Sequence, residues 1–291
     1  MAVKKSGGLK ARLAALQQRW PWLGHAYAAW TQFKSRNGTQ YSAAITYFSF
    51  LALFPLLLLA ASIAGFVLSS DRHLQQELLD KITSNIPGTF GATLTTSIKT
   101  AINNRTGIGL VGLAGVLLTG LGWVGNLRQA ITAVAGIEPP KEKFVAGKLR
   151  NLLILGGLGL GVLVSIGLTV VGTAVTDQIL RAAGLEHTTG VSFVVTAGGI
   201  VLSIVGDLVI YWWVLIQMPR LEVSRSVAIR GVILTSVGFE ILKLVGTFTI
   251  AHSSKSPTLG PFAGLLAVLI WIELVSRFLL YCVAWMTTDR P

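Results

Sequence analysis

The sequence predicts an all-α, polytopic membrane protein, and three observations carry that prediction. Of its 291 residues 52% are hydrophobic and only 12% charged, about half the charged fraction of an ordinary soluble domain. Six apolar segments, 41–69, 108–135, 152–174, 192–218, 228–251 and 262–287, each reach the ~20 residues that a helix needs to cross a ~30 Å hydrocarbon layer. These runs are long and uniform, whereas a membrane β-barrel would show short alternating strands.

Residues 1–40 read as a basic cytoplasmic arm. Within "LKARLAALQQRWPWLGHAYAAWTQF", Leu9, Leu13 and Leu16 share a helical face while Lys10, Arg12 and Arg19 lie elsewhere, the pattern of an amphipathic helix on a membrane surface. Trp20, Trp22 and Trp30 fit interfacial anchors. The arm is polar and interrupted by Pro21, so the first span is expected to be retained and not cleaved as a leader. After that span comes a connection, 70–107, in which Leu74, Leu78, Leu79 and Ile82 share one face and Leu94, Ile98 and Ile102 another, with Pro87-Gly88 between them. The pattern predicts a helical hairpin on the extracytoplasmic side. The six-helix domain then runs through residue 287, and residues 288–291 form a short tail.

Charge placement sets the expected orientation. With both termini in the cytoplasm, fifteen Lys and Arg residues fall inside and six outside: Arg72, Lys81, Lys99, Arg105, Arg181 and Lys255. The positive-inside rule favours that arrangement. The net charge of +12 is therefore assigned to topology and to anionic lipid as partner. Nucleic acid is not an expected partner, because base-stacking aromatics do not interleave with the cations.

Enzyme chemistry finds no footing. The single Cys282 offers no redox pair. The histidines, His25, His73, His187 and His252, are scattered, with no metal-binding HExxH pattern. No Gly-Lys-Ser/Thr phosphate loop is present, and "LGGLGLGV" lies within a span and not in a dinucleotide-binding βαβ unit. No cofactor, metal or catalytic residue is expected, and the chain is not read as an enzyme.

Apart from Arg230, counted with the cytoplasmic connection at the edge of the fifth span, six charged residues fall inside spans: Arg128, Asp207, Glu240, Lys243, Glu273 and Arg277. Each costs at least ~2.5 kcal/mol at the bilayer centre and needs a partner or water. Glu240 and Lys243 are three apart and Glu273 and Arg277 four apart, so each pair shares a helix face; Asp207 and Arg128 are expected to meet across the bundle. Two readings stay open, ion pairs that pin helices and a charged path for an anionic headgroup. In the second, Arg128, Lys243 and Arg277 contact the headgroup, while Asp207, Glu240 and Glu273 balance charge or carry a proton. Gly157, Gly161 and Ser165 in the third span, with Gly199 and Ser203 in the fourth, recur every four residues and are assigned to helix packing, within one subunit or in a homo-oligomer. Pro55 removes a backbone hydrogen bond in the first span and is the hinge candidate.

At "YSAAITYFSFLALFPLLLLAASIAGF" the chain resembles the YihY/BrkB family of bacterial inner-membrane proteins, through Ala43, Ala44, Tyr47, Phe48, Phe54, Pro55 and Leu56. The likeness extends through "LLTGLGWVGNLRQAITAV", with Trp123 and Arg128, to "FAGLLAVLIWIELVSRFLL", and is greatest for the YhjD-like branch. Many members carry Tyr-Gly before the last span and end Gly-Ala-Glu-Leu-Asn, where this chain has "LGPFAG" and "YCVAWMTT"; no role of that terminal motif carries over. The resemblance implies six spans, an inner-membrane location and transport of a lipid or lipopolysaccharide precursor. Together with the charges it predicts a transporter or flippase-like protein for an anionic lipid or lipid-linked envelope precursor. A structural scaffold is the alternative. A membrane-bound hydrolase or nuclease, suggested by the ribonuclease label the family once bore, ranks last.

Overall fold

A computed structural model describes residues 20–85, 89–138, 145–161, 205–253 and 260–288. Among these every regular element is helical and no strand occurs. In chain order they are α1 (Pro21–Ser35), α2 (Gly38–Ser70), α3 (Arg72–Asn85), α4 (Thr89–Asn103) and α5 (Arg105–Ala135). Then follow α6 (145–161), α7 (Val205–Gln217), α8 (Arg225–Ser253) and α9 (Gly260–Thr288). Gly38–Ser70, Arg105–Ala135 and Ala263–Thr288 are long and apolar enough to cross a membrane, and Val205–Gln217 is a shorter apolar helix. Leu57, Leu118 and Ile270 point outward from the three long ones. Such outward apolar surface suits lipid as the solvent.

The chain divides into two compact units, with the division falling inside α2 and α5. One comprises Tyr47–Trp123 and the other the residues up to Thr46 and from Val124 onward. In the first unit the seam between α2 and α5 is lined by glycines. A Cβ on Gly112 would stand 2.8 Å from the Leu59 backbone nitrogen, and one on Gly115 would stand 2.8 Å from the Pro55 ring; at Gly109 it would strike Ser62 Oγ. Backbones approach this closely in lipid only where side chains are small. Ser62 Oγ donates to the Arg105 carbonyl at 2.7 Å and Trp123 Nε1 to Ser49 Oγ at 2.8 Å. Pro55, the hinge candidate, is thus seated against Gly115. The hairpin expected over 70–107 corresponds to α3 and α4. Asp71 Oδ1 caps α3 by accepting from the Leu74 amide at 3.0 Å. Farther along, Lys81 donates to Glu77 and holds its carboxyl below the ordinary value.

In the second unit α9 is central, packed along α8 and α1. Three glycines of α8 receive its side chains: Gly231 meets Met286, Gly238 meets Phe278 and Gly246 meets Trp271. As numbering rises along α8 it falls along α9, so the two run antiparallel. Trp271 Nε1 also donates to the Leu242 carbonyl at 2.7 Å. The part of the arm that is described, α1, starts with Pro21 at a first-turn position, where its missing N–H costs nothing. It buries Ala29 and Phe33 and exposes Trp20, Trp22 and Tyr27. Tyr281 Oη donates to the Ala26 carbonyl at 3.1 Å, Gln32 Nε2 donates to Thr287 Oγ1 at 2.7 Å, and His25 Nε2 lies 3.0 Å from the Trp285 carbonyl. Leu9, Leu13 and Leu16 lie outside the described residues.

Two helix ends complete the frame. α5 ends in a Schellman motif: Gly136, at φ 71°, donates to the Ala133 carbonyl, and Ile137 to that of Thr132. α7 ends in a π-helical turn, Trp213–Gln217, with Met218 donating to the Trp213 carbonyl at 2.9 Å. Arg150 Nη2 donates to the Met218 carbonyl at 2.8 Å, satisfying an orphan acceptor of that end.

Of the packing candidates, Gly157 lies 3.7 Å from Trp213, measured from an added Cβ, and no described atom lies within 4 Å of a Cβ at Gly161. Ser165, Gly199 and Ser203 lie outside the described residues. The crowding at Gly112 predicts that Gly112→Val lowers stability by roughly 1–3 kcal/mol, as overpacking does. Gly161→Ala should be neutral or raise it by roughly 0.5–1 kcal/mol by removing unfolded-state freedom. Thermal unfolding in detergent reads both, and an equal effect of the two substitutions would contradict the seam.

Candidate functional site

All six span charges belong to the second unit, and five of them form two clusters. The first joins α7 to α8. Glu240 and Lys243 are one helical turn apart, so their side chains project to the same face. Lys243 Nζ donates to Glu240 Oε1 at 2.7 Å and to Asp207 Oδ2 at 3.0 Å. Its side chain stays 33% exposed and that of Asp207 13%. The ammonium also lies 5.2 Å from the centre of the Phe239 ring, against whose face Tyr211 packs edge-on, so an aromatic wall flanks the charges. One cation thus draws together carboxylates from two helices, and these three side chains sum to one negative charge.

The second cluster joins α2 to α9. Glu273 and Arg277 lie four residues apart, and Arg277 Nε donates to Glu273 Oε1 at 2.6 Å. From α2, Ser42 Oγ donates to the same oxygen at 3.2 Å and Thr46 Oγ1 to Oε2 at 2.7 Å. Ser42 and Thr46 are buried, so Glu273 is gripped from the protein side. Arg277 is 52% exposed.

Arg128 reaches toward α6. Its Nη1 lies 3.5 Å from Asn151 Oδ1 on α6. The expected pairing of Asp207 with Arg128 is not formed, because Lys243 reaches Asp207 from the adjacent α8. The sequence reading also missed Ser42, Thr46 and Asn151. Hydroxyls at positions i and i+4 of an apolar span share a face, and that spacing was the available signal for Ser42 and Thr46; nothing in the sequence singled out Asn151. No group of three or more metal-ligating side chains occurs among the described residues.

Comparison with known proteins agrees with this arrangement of long apolar helices. The family model described as "Virulence factor BrkB" matches residues 29–289. The chain belongs to the BrkB (YihY/BrkB) family. Over 277 residues it is 36% identical to "Inner membrane protein YhjD" of Escherichia coli (strain K12), covering 93% of this chain and 82% of that protein. Over the same length it is 34% identical to an uncharacterized protein of Dickeya dadantii (strain 3937), covering 93% and 84%. It is 22% identical over 250 residues to a UPF0761 membrane protein of Saccharophagus degradans, covering 86% of this chain and 55% of that one. No solved structure matches it. As a BrkB-family chain it is a membrane protein, and the matched region contains both charge clusters.

The three-way cluster predicts measurable coupling. Lys243→Met should destabilise the protein by leaving two carboxylates facing one another. Asp207→Asn should cost less in that background than in the wild type, with a coupling energy of roughly 0.5–3 kcal/mol, toward the lower end because Lys243 is partly solvated. A thermal-unfolding cycle measures this, and strict additivity would show that the bridge contributes nothing.

Proposed function

We propose that this BrkB-family protein resides in a bacterial inner membrane with six spans and both termini in the cytoplasm, and that it moves or accommodates an anionic lipid or lipid-linked envelope precursor. The observation that carries this reading is the exposure of Lys243 and Arg277 within otherwise apolar helices. Side chains that serve only as ties between helices are expected to be sealed between them, whereas cations reachable from outside the fold suit an anionic headgroup. Arg128, Lys243 and Arg277 are the headgroup contacts in this scheme. Asp207, Glu240 and Glu273 balance their charge, and in a proton-coupled cycle Asp207 or Glu240 carries the proton. The inner-membrane location follows the printed name of the Escherichia coli relative, and the orientation follows the distribution of Lys and Arg. Residues 1–40 serve as the cytoplasmic arm, and the small-residue faces leave room for a second copy of the chain.

The pairing of Lys243 with two carboxylates favours a second reading, in which the charges only hold helices together. Transport separates the two. In proteoliposomes containing a fluorescent anionic lipid, the wild type should move the probe, and Lys243→Gln and Arg128→Gln, folded in detergent, should each slow it about tenfold, the scale of one charge-assisted hydrogen bond. A wild type that moves no lipid, or variants as fast as the wild type, would favour the scaffold. Incubation of the purified protein with RNA and divalent metal should leave the RNA intact, and metal-dependent cleavage would restore the nuclease reading.

A further inference from the structure

We infer that Arg277 is a phosphate-reading fork, and that Ser42 and Thr46, acting through Glu273, are the positioning residues that aim it. A guanidinium carries five N–H donors in one plane. At Arg277 the Nε donor is taken by Glu273 Oε1 at 2.6 Å, while the two terminal nitrogens, with four N–H groups between them, make no hydrogen bond among the described residues. The side chain is half exposed although it belongs to a 29-residue apolar helix. A planar pair of unused donors, held at one edge and open at the other, matches the two oxygens of a phosphate group.

The holding edge is itself built. Ser42 is fully buried and Thr46 nearly so, and each places a hydroxyl on a different oxygen of Glu273. The single hydroxyl proton of Thr46 is shared between Glu273 and the Ser42 carbonyl, 2.8 Å away, and that of Ser42 between Glu273 and the Thr39 carbonyl, also at 2.8 Å. Glu273 has both oxygens engaged by the protein, so it neutralises Arg277 from behind and fixes the plane of the fork. A nearby carboxylate also weakens phosphate binding, which suits a ligand that must leave again. Lys243 differs, because two carboxylates engage its ammonium. This assignment deepens the proposed function by naming the chemistry of the cargo, and it rests on that reading only for the claim that the phosphate belongs to something moved.

The full chain in detergent, probed by native mass spectrometry with phosphatidic acid and with oleic acid as the carboxylate control, tests the fork directly. The wild type should retain phosphatidic acid in preference to oleic acid. Arg277→Lys keeps the charge but loses the fork and should weaken phosphatidic acid binding about tenfold. Thr46→Val should weaken it several-fold, and Thr46→Ser, which restores the hydroxyl, should recover it; a purely structural role for Thr46 predicts no such recovery. Inorganic phosphate added as competitor distinguishes the source of the group: displacement of the lipid marks recognition of phosphate as such, and no displacement marks recognition of a lipid headgroup. Undiminished phosphatidic acid binding by folded Arg277→Lys overturns the inference; if that variant does not fold, undiminished binding by Thr46→Val does so. Binding that depends on Arg277 in a protein that moves no lipid would leave the fork standing and remove the transport reading, whereas lipid movement with binding indifferent to Arg277 would do the reverse.

Discussion

A charge inside an apolar helix must be answered by another group, and the second unit is arranged around that requirement. Lys243 is met by carboxylates from its own helix and from α7, and Glu273 by a guanidinium from its own helix and two hydroxyls from α2. Each cluster therefore links two helices that a purely apolar interface would join less selectively. In lipid the hydrophobic effect gives helices little reason to choose one neighbour over another, and specificity falls to close packing and polar contacts. Removing one partner of such a group is costly to the extent that the group left behind is shut away from water.

Close packing supplies the rest. The glycines of α8 that take in Met286, Phe278 and Trp271 let α9 lie against it, and that contact sets where Glu273 and Arg277 emerge. α9 also carries α1 through His25, Gln32 and Tyr281. At the end of α7 the π-helical turn places one residue more per turn than an α-helix, and the carbonyl of Met218 that follows it is taken up by Arg150 from α6. Asp207 sits six residues before that turn, so α7 is tied at its end by Arg150 and near the start of its described part by Lys243.

Much of this was legible in the sequence, and the division between what was and what was not has a physical basis. Long apolar runs and the i,i+3 and i,i+4 charge pairs are properties of one helix, so the start of α2 near residue 41, the end of α5 near residue 135 and the pairs Glu240–Lys243 and Glu273–Arg277 could be read from spacing. Partners on other helices are properties of packing. Asp207 was assigned to Arg128 by elimination and belongs to Lys243, and Ser42 and Thr46 gave no charge signal. The small-residue stripe of the third span stands out by its regular period, and among the described residues Trp213 lies against it, 3.7 Å from a Cβ on Gly157. The glycines that do carry contacts in α8, at 231, 238 and 246, are spaced by seven and eight residues, two helical turns, a period less conspicuous by eye than four.

The two clusters differ in a way that bears on function more than their shared polarity does. At Lys243 the ammonium, a compact point charge, is engaged by two carboxylates on one side and a ring on another, an arrangement that satisfies the cation within the protein. At Glu273 it is the anion that the protein satisfies, from both oxygens, and the cation that is left with donors to spare. A carboxylate can pair with a guanidinium through two parallel hydrogen bonds, either across Nε and one terminal nitrogen or across the two terminal nitrogens. Here Ser42 and Thr46 hold the carboxylate so that it accepts from Nε, and the parallel donors of the terminal nitrogens stay where another molecule can reach them.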